Sequence, residues 1–70
     1  MKHILAKIII ISDVIELIAK HYRISVEEAR NMLYESNIVD LIEDDETGLY
    51  GESPLYVFSL FEETKHTKSN

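Results

Sequence analysis

The most extended pattern in the chain is a helical repeat of apolar residues over residues 3–22. A first stripe steps alternately by four and three residues and consists of Ile4, Ile8, Ile11, Ile15, Ile18 and Tyr22. An adjoining second stripe consists of Ile10, Val14, Leu17 and His21. The isoleucines at residues 8–11 would also suit a strand, because β-branched side chains favour sheets. Since the spacing continues through Ile18, the pattern predicts a long helix.

This first helix is apolar over a wider face than one short layer of partners can cover. Two stripes indicate two things to pack against, the rest of the fold and a second copy of the chain. We therefore expect a homodimer whose interface is formed by Ile4, Ile8, Ile11, Ile15 and Ile18. An alternative stays open, in which the first helix lies at the centre of the monomer and the other helices wrap around it.

A capping box marks the start of the second helix. In Ser25-Val26-Glu27-Glu28 the serine hydroxyl can accept from the Glu28 amide while the Glu28 carboxylate reaches back to the Ser25 amide. This helix is expected to run to about Glu35. Its inward-facing residues are expected to be Val26, Ala29, Met32 and Leu33.

Two further helices follow the same kind of local signal. Ser36 or Asn37 can cap a short third helix through Asp44, with apolar residues Ile38, Val39, Leu41 and Ile42. After a turn at residues 44–48, in which Gly48 is free to adopt positive φ, we expect a short extended pair, Leu49 and Tyr50.

Ser53-Pro54 then opens a fourth helix, because serine suits the cap position and proline the first turn. Its apolar side is expected to comprise Leu55, Val57, Phe58, Leu60 and Phe61. The fold class predicted is therefore all-α, a small bundle of about four helices with a long first helix. One domain is expected at residues 1–63, and residues 64–70 are expected to form a polar, frayed tail.

Chain length and composition support this picture of one small domain. Seventy residues, 46% of them apolar, are near the lower limit for burying a sufficient core. The chain has no Cys, so neither a disulfide nor a thiolate-bound metal can stabilise it. Small domains without such links often gain stability by oligomerising, which agrees with the expected homodimer.

Charge is divided unequally along the chain. Residues 31–64 contain no Lys or Arg but nine carboxylates, six of them at residues 40–52, whereas the first thirty residues are nearly neutral. The negative field of these carboxylates attracts cationic surfaces and repels phosphate, so we expect a basic protein partner. Aromatic side chains can anchor such a contact while the charges steer it. The expected partner-binding residues are Asp40, Glu43, Asp44, Asp45, Glu46, Tyr50 and Tyr56.

No residue pattern indicates catalysis or a bound cofactor. The acidic turn has contiguous acids rather than the alternating ligands and central glycine of a calcium loop. None of the histidines, His3, His21 and His66, lies three or four residues from another histidine, and His21 is expected to be a half-buried interface residue. Each serine near a helix start is explained as a cap. We expect no metal, no cofactor and no enzymatic activity.

Nucleic-acid binding is the alternative function. Residues 25–44 read like a helix–turn–helix, but the helix that would enter the major groove is acidic. The basic residues Lys20, Arg23 and Arg30 surround the preceding turn and form too small a patch to neutralise many phosphates. Nucleic acid is therefore not the expected partner.

The first helix does not predict membrane insertion or export. Its longest uninterrupted apolar run, residues 8–11, is far too short to span a bilayer. Lys7 interrupts the apolar segment, and Asp13 and Glu16 stand where a signal-peptide cleavage site would be needed. We expect a cytoplasmic protein without a membrane partner.

Several short motifs resemble a family of short uncharacterised bacterial proteins of the domain-of-unknown-function class. The resemblance covers about residues 4–63 and is carried by Tyr22-Arg23-Ile24-Ser25-Val26-Glu27-Glu28-Ala29, Tyr34-Glu35-Ser36, the segment at residues 41–50, and Ser53-Pro54-Leu55-Tyr56. Similar proteins are often encoded among mobile or toxin–antitoxin-like genes. The resemblance implies a small helical protein that acts through a partner. The resulting hypothesis is a non-enzymatic interaction module, antitoxin-like or inhibitor-like.

Overall fold

Four α-helices make up most of the computed structural model, which describes the backbone of residues 3–68 and the side chains of residues 3–65. The helices are α1 (Ile4–Tyr22), α2 (Val26–Glu35), α3 (Ile38–Glu43) and α4 (Pro54–Lys68), and a 3₁₀ turn at Leu49–Gly51 lies between α3 and α4. The described residues include no strand. The prediction of a small all-α bundle with a long first helix is confirmed.

The core forms around α1, which packs most extensively against α2 and α4 and also contacts α3 and the 3₁₀ turn. Every helix contributes to the buried cluster, which consists of Ile10, Val14, Ile15, Ile18, Ala29, Leu33, Ile38, Val39, Ile42, Leu49, Val57 and Phe61. Removing these side chains from water is the main favourable contribution to the fold. Within the single chain, α1 is therefore the central helix.

The expected capping interactions set the helix boundaries. Both bonds of the capping box are present, with the Glu28 amide 3.1 Å from Ser25 Oγ and the Ser25 amide 3.4 Å from the Glu28 carboxylate. Ser53 Oγ accepts from the Tyr56 amide at 3.1 Å at the start of α4. Because these bonds satisfy amides that have no partner within the helix, they fix where each helix begins.

A buried serine makes the sharp join between α2 and α3. The Ser36 hydroxyl donates to the Leu33 carbonyl at 2.6 Å and accepts from the Ile38 amide at 3.3 Å. The residue at the cap position itself, Asn37, makes no such side-chain bond. Of the two caps expected for the third helix, Ser36 is therefore the one that bonds to it.

Two boundary predictions are corrected by the structure. Leu49 and Tyr50 belong to a 3₁₀ turn rather than to an extended pair, because Gly48 takes φ 68° and turns the chain back on itself. The backbone of the fourth helix continues past Glu63 to Lys68, because adding a residue to a formed helix costs far less than starting a new one. The fraying expected for residues 64–70 stays a prediction, and residues 69–70 lie outside the described residues.

Val26, which was expected to face inward, is exposed, and so are Leu41 of α3 and Leu55, which belongs to the apolar side expected for α4. Val26 and Leu55 stand in the first turns of α2 and α4, where no neighbouring element covers them. Helical spacing identifies the apolar face of a helix but does not say how far along that face the neighbouring helices extend.

Candidate functional site

The acidic surface consists of Asp40, Glu43, Asp44, Asp45 and Glu46, all of which are exposed. Their exposure follows from the way α3 packs, because its buried residues are Ile38, Val39 and Ile42. The intervening positions of the helix must then point to solvent, and the turn continues the same surface. The structure therefore brings these five expected partner-binding residues together.

The turn that follows α3 is ordered by its own side chains. Asp44 Oδ1 accepts from the Glu46 amide at 3.0 Å, and Thr47 Oγ1 accepts from the Leu49 amide at 3.2 Å. The Thr47 hydroxyl donates towards the Leu41 carbonyl at 2.5 Å, and the Asp44 carbonyl lies 3.0 Å away. Aspartate and threonine commonly stabilise turns in this way. The carboxylate of Asp44 thus has a structural role.

Lys7 of α1 lies at the acidic surface, although it comes from the nearly neutral part of the sequence. Its ammonium is 2.6 Å from Asp45 Oδ1 and donates to the Glu43 carbonyl at 2.9 Å. That carbonyl belongs to the last turn of α3, where carbonyls have no helical partner and carry partial negative charge. Lys7 therefore ties α1 to the acidic turn.

Sequence reasoning missed this role of Lys7, although a signal was present. Lys7 stands three residues after Ile4 and four before Ile11, so it interrupts an apolar stripe on the face that turns inward. The side chain of Lys7 is largely buried, with 16% exposed. A lysine at such a position needs an acidic or carbonyl partner, and the acidic turn was an available candidate.

The two tyrosines expected at the partner-binding surface differ in their surroundings. Tyr50 is half-buried, stacks on the His3 ring with centroids 4.4 Å apart, and has the Lys7 ammonium 5.7 Å from its ring centroid. Tyr56 is exposed on α4, and among the described residues no hydrogen bond or ring contact joins its side chain to the acidic surface. Tyr50 is thus linked to the acidic surface through Lys7, and Tyr56 is not.

A shallow apolar groove lies between α3 and α4, next to the acidic surface. Its volume is about 340 Å³, and its lining includes Ile38, Leu41 and Leu60 on the apolar side and Glu63 at the rim. Leu41 directly follows Asp40 in α3 and is 40% exposed. An apolar side chain, that of Leu41, therefore stands within the acidic surface.

A second polar cluster joins the end of α1 to α4. The Tyr22 hydroxyl donates to the Glu62 carboxylate, and the Lys65 ammonium lies over the Tyr22 ring, 4.1 Å from its centroid. Burial raises the pKa of Tyr22 to about 12, and the hydrogen bond to Glu62 and its negative charge act in the same direction. Tyr22 is therefore a neutral hydrogen-bond donor over the whole physiological range.

The histidines do not gather into a ligand site. His3 stacks on Tyr50, while His21 is exposed and meets the rings of Tyr22 and Phe58 edge-on, at 4.7 and 5.4 Å between centroids. The expectation that His21 is half-buried is therefore wrong in the monomer, and the side chain of His66 lies outside the described residues. Among the side chains described, no group of three or more His, Asp and Glu residues could hold a metal ion.

The arrangement of α2 and α3 bears on the nucleic-acid alternative. The helix α3, which would have to enter a groove, has only 6 residues, and its exposed side chains are Asp40, Leu41 and Glu43. The basic residues Lys20, Arg23 and Arg30 are exposed around the turn between α1 and α2. A carboxylate-bearing helix would repel the phosphates beside a groove.

The residues expected to form the dimer interface fall into two groups. Ile15 and Ile18 are buried within the single chain and must be removed from that interface, because α1 already packs them against its neighbours. Ile11 is half-buried, and Ile4 and Ile8 are exposed. Two neighbours that were not expected there, Leu5 and Ile9, are also exposed. These four residues, Ile4, Leu5, Ile8 and Ile9, are called the aliphatic face below.

Comparison with known proteins gave no match to a protein-family model, to a curated protein or to a solved structure. The resemblance to a family of short bacterial proteins thus stays a prediction. Within residues 3–68, no helix combines the length and apolarity needed to cross a membrane.

Proposed function

We propose that this protein is a non-enzymatic interaction module that binds a basic segment of another protein through its acidic surface. The observation that carries the proposal is the composition of the exposed side of α3, whose exposed side chains are Asp40, Leu41 and Glu43. Carboxylates attract and orient a cationic partner, and an apolar side chain beside them supplies contact area that excludes water.

The groove beside Leu41 suggests how such a partner would be held. An apolar side chain of the partner would enter the space between α3 and α4, and its Lys or Arg residues would face the carboxylates of the surrounding surface. A basic amphipathic helix carries both features at helical spacing. The partner class proposed is therefore a protein that carries a basic amphipathic helix. Nucleic-acid-binding proteins are candidates because they are rich in basic segments.

The carboxylates of the acidic surface do not all have the same task. Asp44 orders the turn and Asp45 pairs with Lys7, so changing either of them alters the fold locally. Asp40 and Glu43 stand on α3 outside these two contacts. A test of partner binding should therefore change Asp40 and Glu43 and leave the turn intact.

The experiment is affinity capture from the native host with the wild type and a double variant, Asp40→Lys with Glu43→Lys. We expect the wild type to retain a basic protein, and titration of that protein to show at least roughly tenfold weaker binding to the variant, increasingly so at low salt. The matched control is Asp13→Lys with Glu16→Lys, which makes the same change of charge on exposed positions of α1. Equal loss in both variants, or an acidic captured protein, would contradict the proposal.

An antitoxin-like or inhibitor-like role follows from the same chemistry. A small acidic protein that covers the cationic surface of a nucleic-acid-binding protein blocks the contacts to phosphate on which that protein depends. We further propose that the module acts in the cytoplasm of a bacterium and as a homodimer formed through α1.

A helix–turn–helix regulator that contacts DNA through Lys20, Arg23 and Arg30 is the second candidate, because all three side chains are exposed around one turn. A gel-shift titration of the purified protein with duplex DNA separates the two functions. Tight binding that is selective for sequence and weakens steeply with salt would replace the interaction module as the proposed function.

A further inference from the structure

We infer that the aliphatic face of α1, Ile4, Leu5, Ile8 and Ile9, is the interface through which two copies of the chain associate. The inference rests on the homodimer of the proposed function and places its interface on the N-terminal half of α1. The exposed fractions of these residues are 47%, 71%, 53% and 57%. They lie within six consecutive residues of one helix, and they form a continuous surface without a polar side chain.

The spacing of the aliphatic face suits the packing of one helix on another. Ile4 and Ile8 form one row at four-residue spacing, and Leu5 and Ile9 form a parallel row beside it. Two such rows leave a groove between them, into which a row of the same kind can fit. A second copy offers an identical surface, so a twofold axis through this face brings rows and grooves together at a crossing angle of about −50°.

The aliphatic face supplies most of the area that a dimer contact needs. If a fully exposed Ile or Leu residue presents roughly 180 Å², the four residues expose roughly 400 Å² in one copy, within the roughly 300–600 Å² of the largest apolar patch on a monomer. Two copies would bury roughly 800 Å² from these residues alone, and a stable interface needs roughly 1,000 Å² or more. Flanking residues such as half-buried Ile11 and exposed Ser12 supply the remainder.

Charge favours a second copy over the other occupants of an apolar face. The four residues of the aliphatic face are uncharged, so a second copy that packs on them meets no like charge within the face. A membrane-bound helix would need Lys and Arg on its polar side. Here Lys7 is paired with Asp45, and the next exposed charged positions of α1 are Asp13 and Glu16.

The test compares two leucines of similar exposure by sedimentation of the full chain at about 50 µM. Leu5 in the aliphatic face is 71% exposed and Leu55 in α4 is 67% exposed. We expect the wild type and Leu55→Asp to sediment at twice the chain mass of 8.1 kDa, and Leu5→Asp at the monomer mass with an unchanged circular dichroism spectrum. Since Leu5 is exposed, its substitution leaves the core intact.

A second measurement uses the absence of cysteine from the chain. A residue close to a twofold axis meets its own copy, so Ile8→Cys should form an intermolecular disulfide under mild oxidation, whereas Val26→Cys, exposed on α2, should not. Failure of Ile8→Cys to cross-link preferentially would overturn the placement of the axis.

The remaining outcomes distinguish failure of the interface from failure of the homodimer. If Leu5→Asp stays dimeric, the inferred interface is wrong while the proposed homodimer stands. If the wild type is monomeric, both are wrong. Co-sedimentation with vesicles of phosphatidylcholine and phosphatidylglycerol tests a lipid surface as the alternative occupant. If the wild type is monomeric and sediments with the vesicles while Leu5→Asp does not, the aliphatic face binds lipid instead of a second copy.

Discussion

The two halves of α1 use the same residue type in opposite surroundings. Ile18 in the C-terminal half is 0% exposed, whereas Ile8 in the N-terminal half is 53% exposed, although both belong to one stripe. The stripe therefore continues beyond the surface that the monomer can cover. The comparison shows that helical spacing alone does not determine which part of an apolar stripe is buried, because the tertiary arrangement decides it.

The lengths of the helices explain why the stripe is divided. At about 1.5 Å per residue, the 19 residues of α1 extend over about 28 Å, whereas α2, α3 and α4, with 10, 6 and 15 residues, extend over about 15, 9 and 22 Å. The C-terminal half of α4 lies beside the C-terminal end of α1, where Tyr22 bonds to Glu62. The join at Ser36 turns the chain away before α2 can run the length of α1. Ile4, Leu5, Ile8 and Ile9 are therefore left exposed, although Ile10 is buried and Lys7 contacts α3 in the same half of α1.

The largest effect expected from this difference comes from shortening one isoleucine in each half. Ile18→Ala removes buried methyl groups and leaves a cavity, so it should lower the free energy of unfolding by about 3 kcal/mol. Ile8→Ala should change the free energy of unfolding by less than about 0.5 kcal/mol. Both substitutions are made in the Leu5→Asp background, which is expected to be monomeric, so that a dimer contact does not contribute. Urea denaturation measures both values. Equal losses would mean that the two halves are equally buried.

The sequence predicted best what depends on neighbouring residues. The capping box at Ser25, the serine at the start of α4 and positive φ at Gly48 each follow from interactions within a few residues of the chain. The structure reproduces all three. The gathering of the acidic residues into one surface follows in the same way, because they occupy one short helix and its turn.

What the sequence could not predict depends on contacts between distant residues. The partners of Lys7 lie 36 and 38 positions further along the chain, and Glu62 lies 40 positions from Tyr22. The exposure of Leu41 likewise depends on how far α4 covers α3. Periodicity assigns a side chain to one face of its helix, but the covering of that face is decided by the packing of the whole chain.

The next largest effect concerns the hydrogen bond that holds the C-terminal end of α1 to α4. Tyr22→Phe keeps the ring and removes the donor to Glu62, so we expect a loss of about 1 kcal/mol in the free energy of unfolding at pH 7. The wild type should also lose stability at high pH. The folded-state pKa of Tyr22 is raised from 10.0 to about 12, so this contribution is fully present below pH 10 and disappears as the pH rises through 12.

The size of this pH effect is limited by solvent. The full value of about 1.36 kcal/mol per pKa unit has to be discounted because Tyr22 is only half-buried, which leaves roughly 1–2 kcal/mol. Denaturation curves at pH 9 and pH 12 for the wild type and for Tyr22→Phe measure it. The difference between the two proteins should shrink at pH 12, and a difference independent of pH would contradict the role given to Tyr22.

The smallest effect expected is at the other end of α1, where Lys7 holds the acidic turn. In a double-mutant cycle of Lys7→Met and Asp45→Asn, we expect a coupling energy of about 0.5–1 kcal/mol at low salt, because Asp45 is half exposed and the ion pair is partly screened. Raising the salt to about 1 M should remove most of this coupling energy.

Since Asp44 and Thr47 hold the turn by separate bonds, Lys7→Met should speed amide exchange at Glu46 and Leu49 only modestly. A coupling of zero at low salt would mean that the Lys7–Asp45 pair does not stabilise the fold. The polar contact at the N-terminal end of α1 would then differ from the Tyr22–Glu62 hydrogen bond at its C-terminal end.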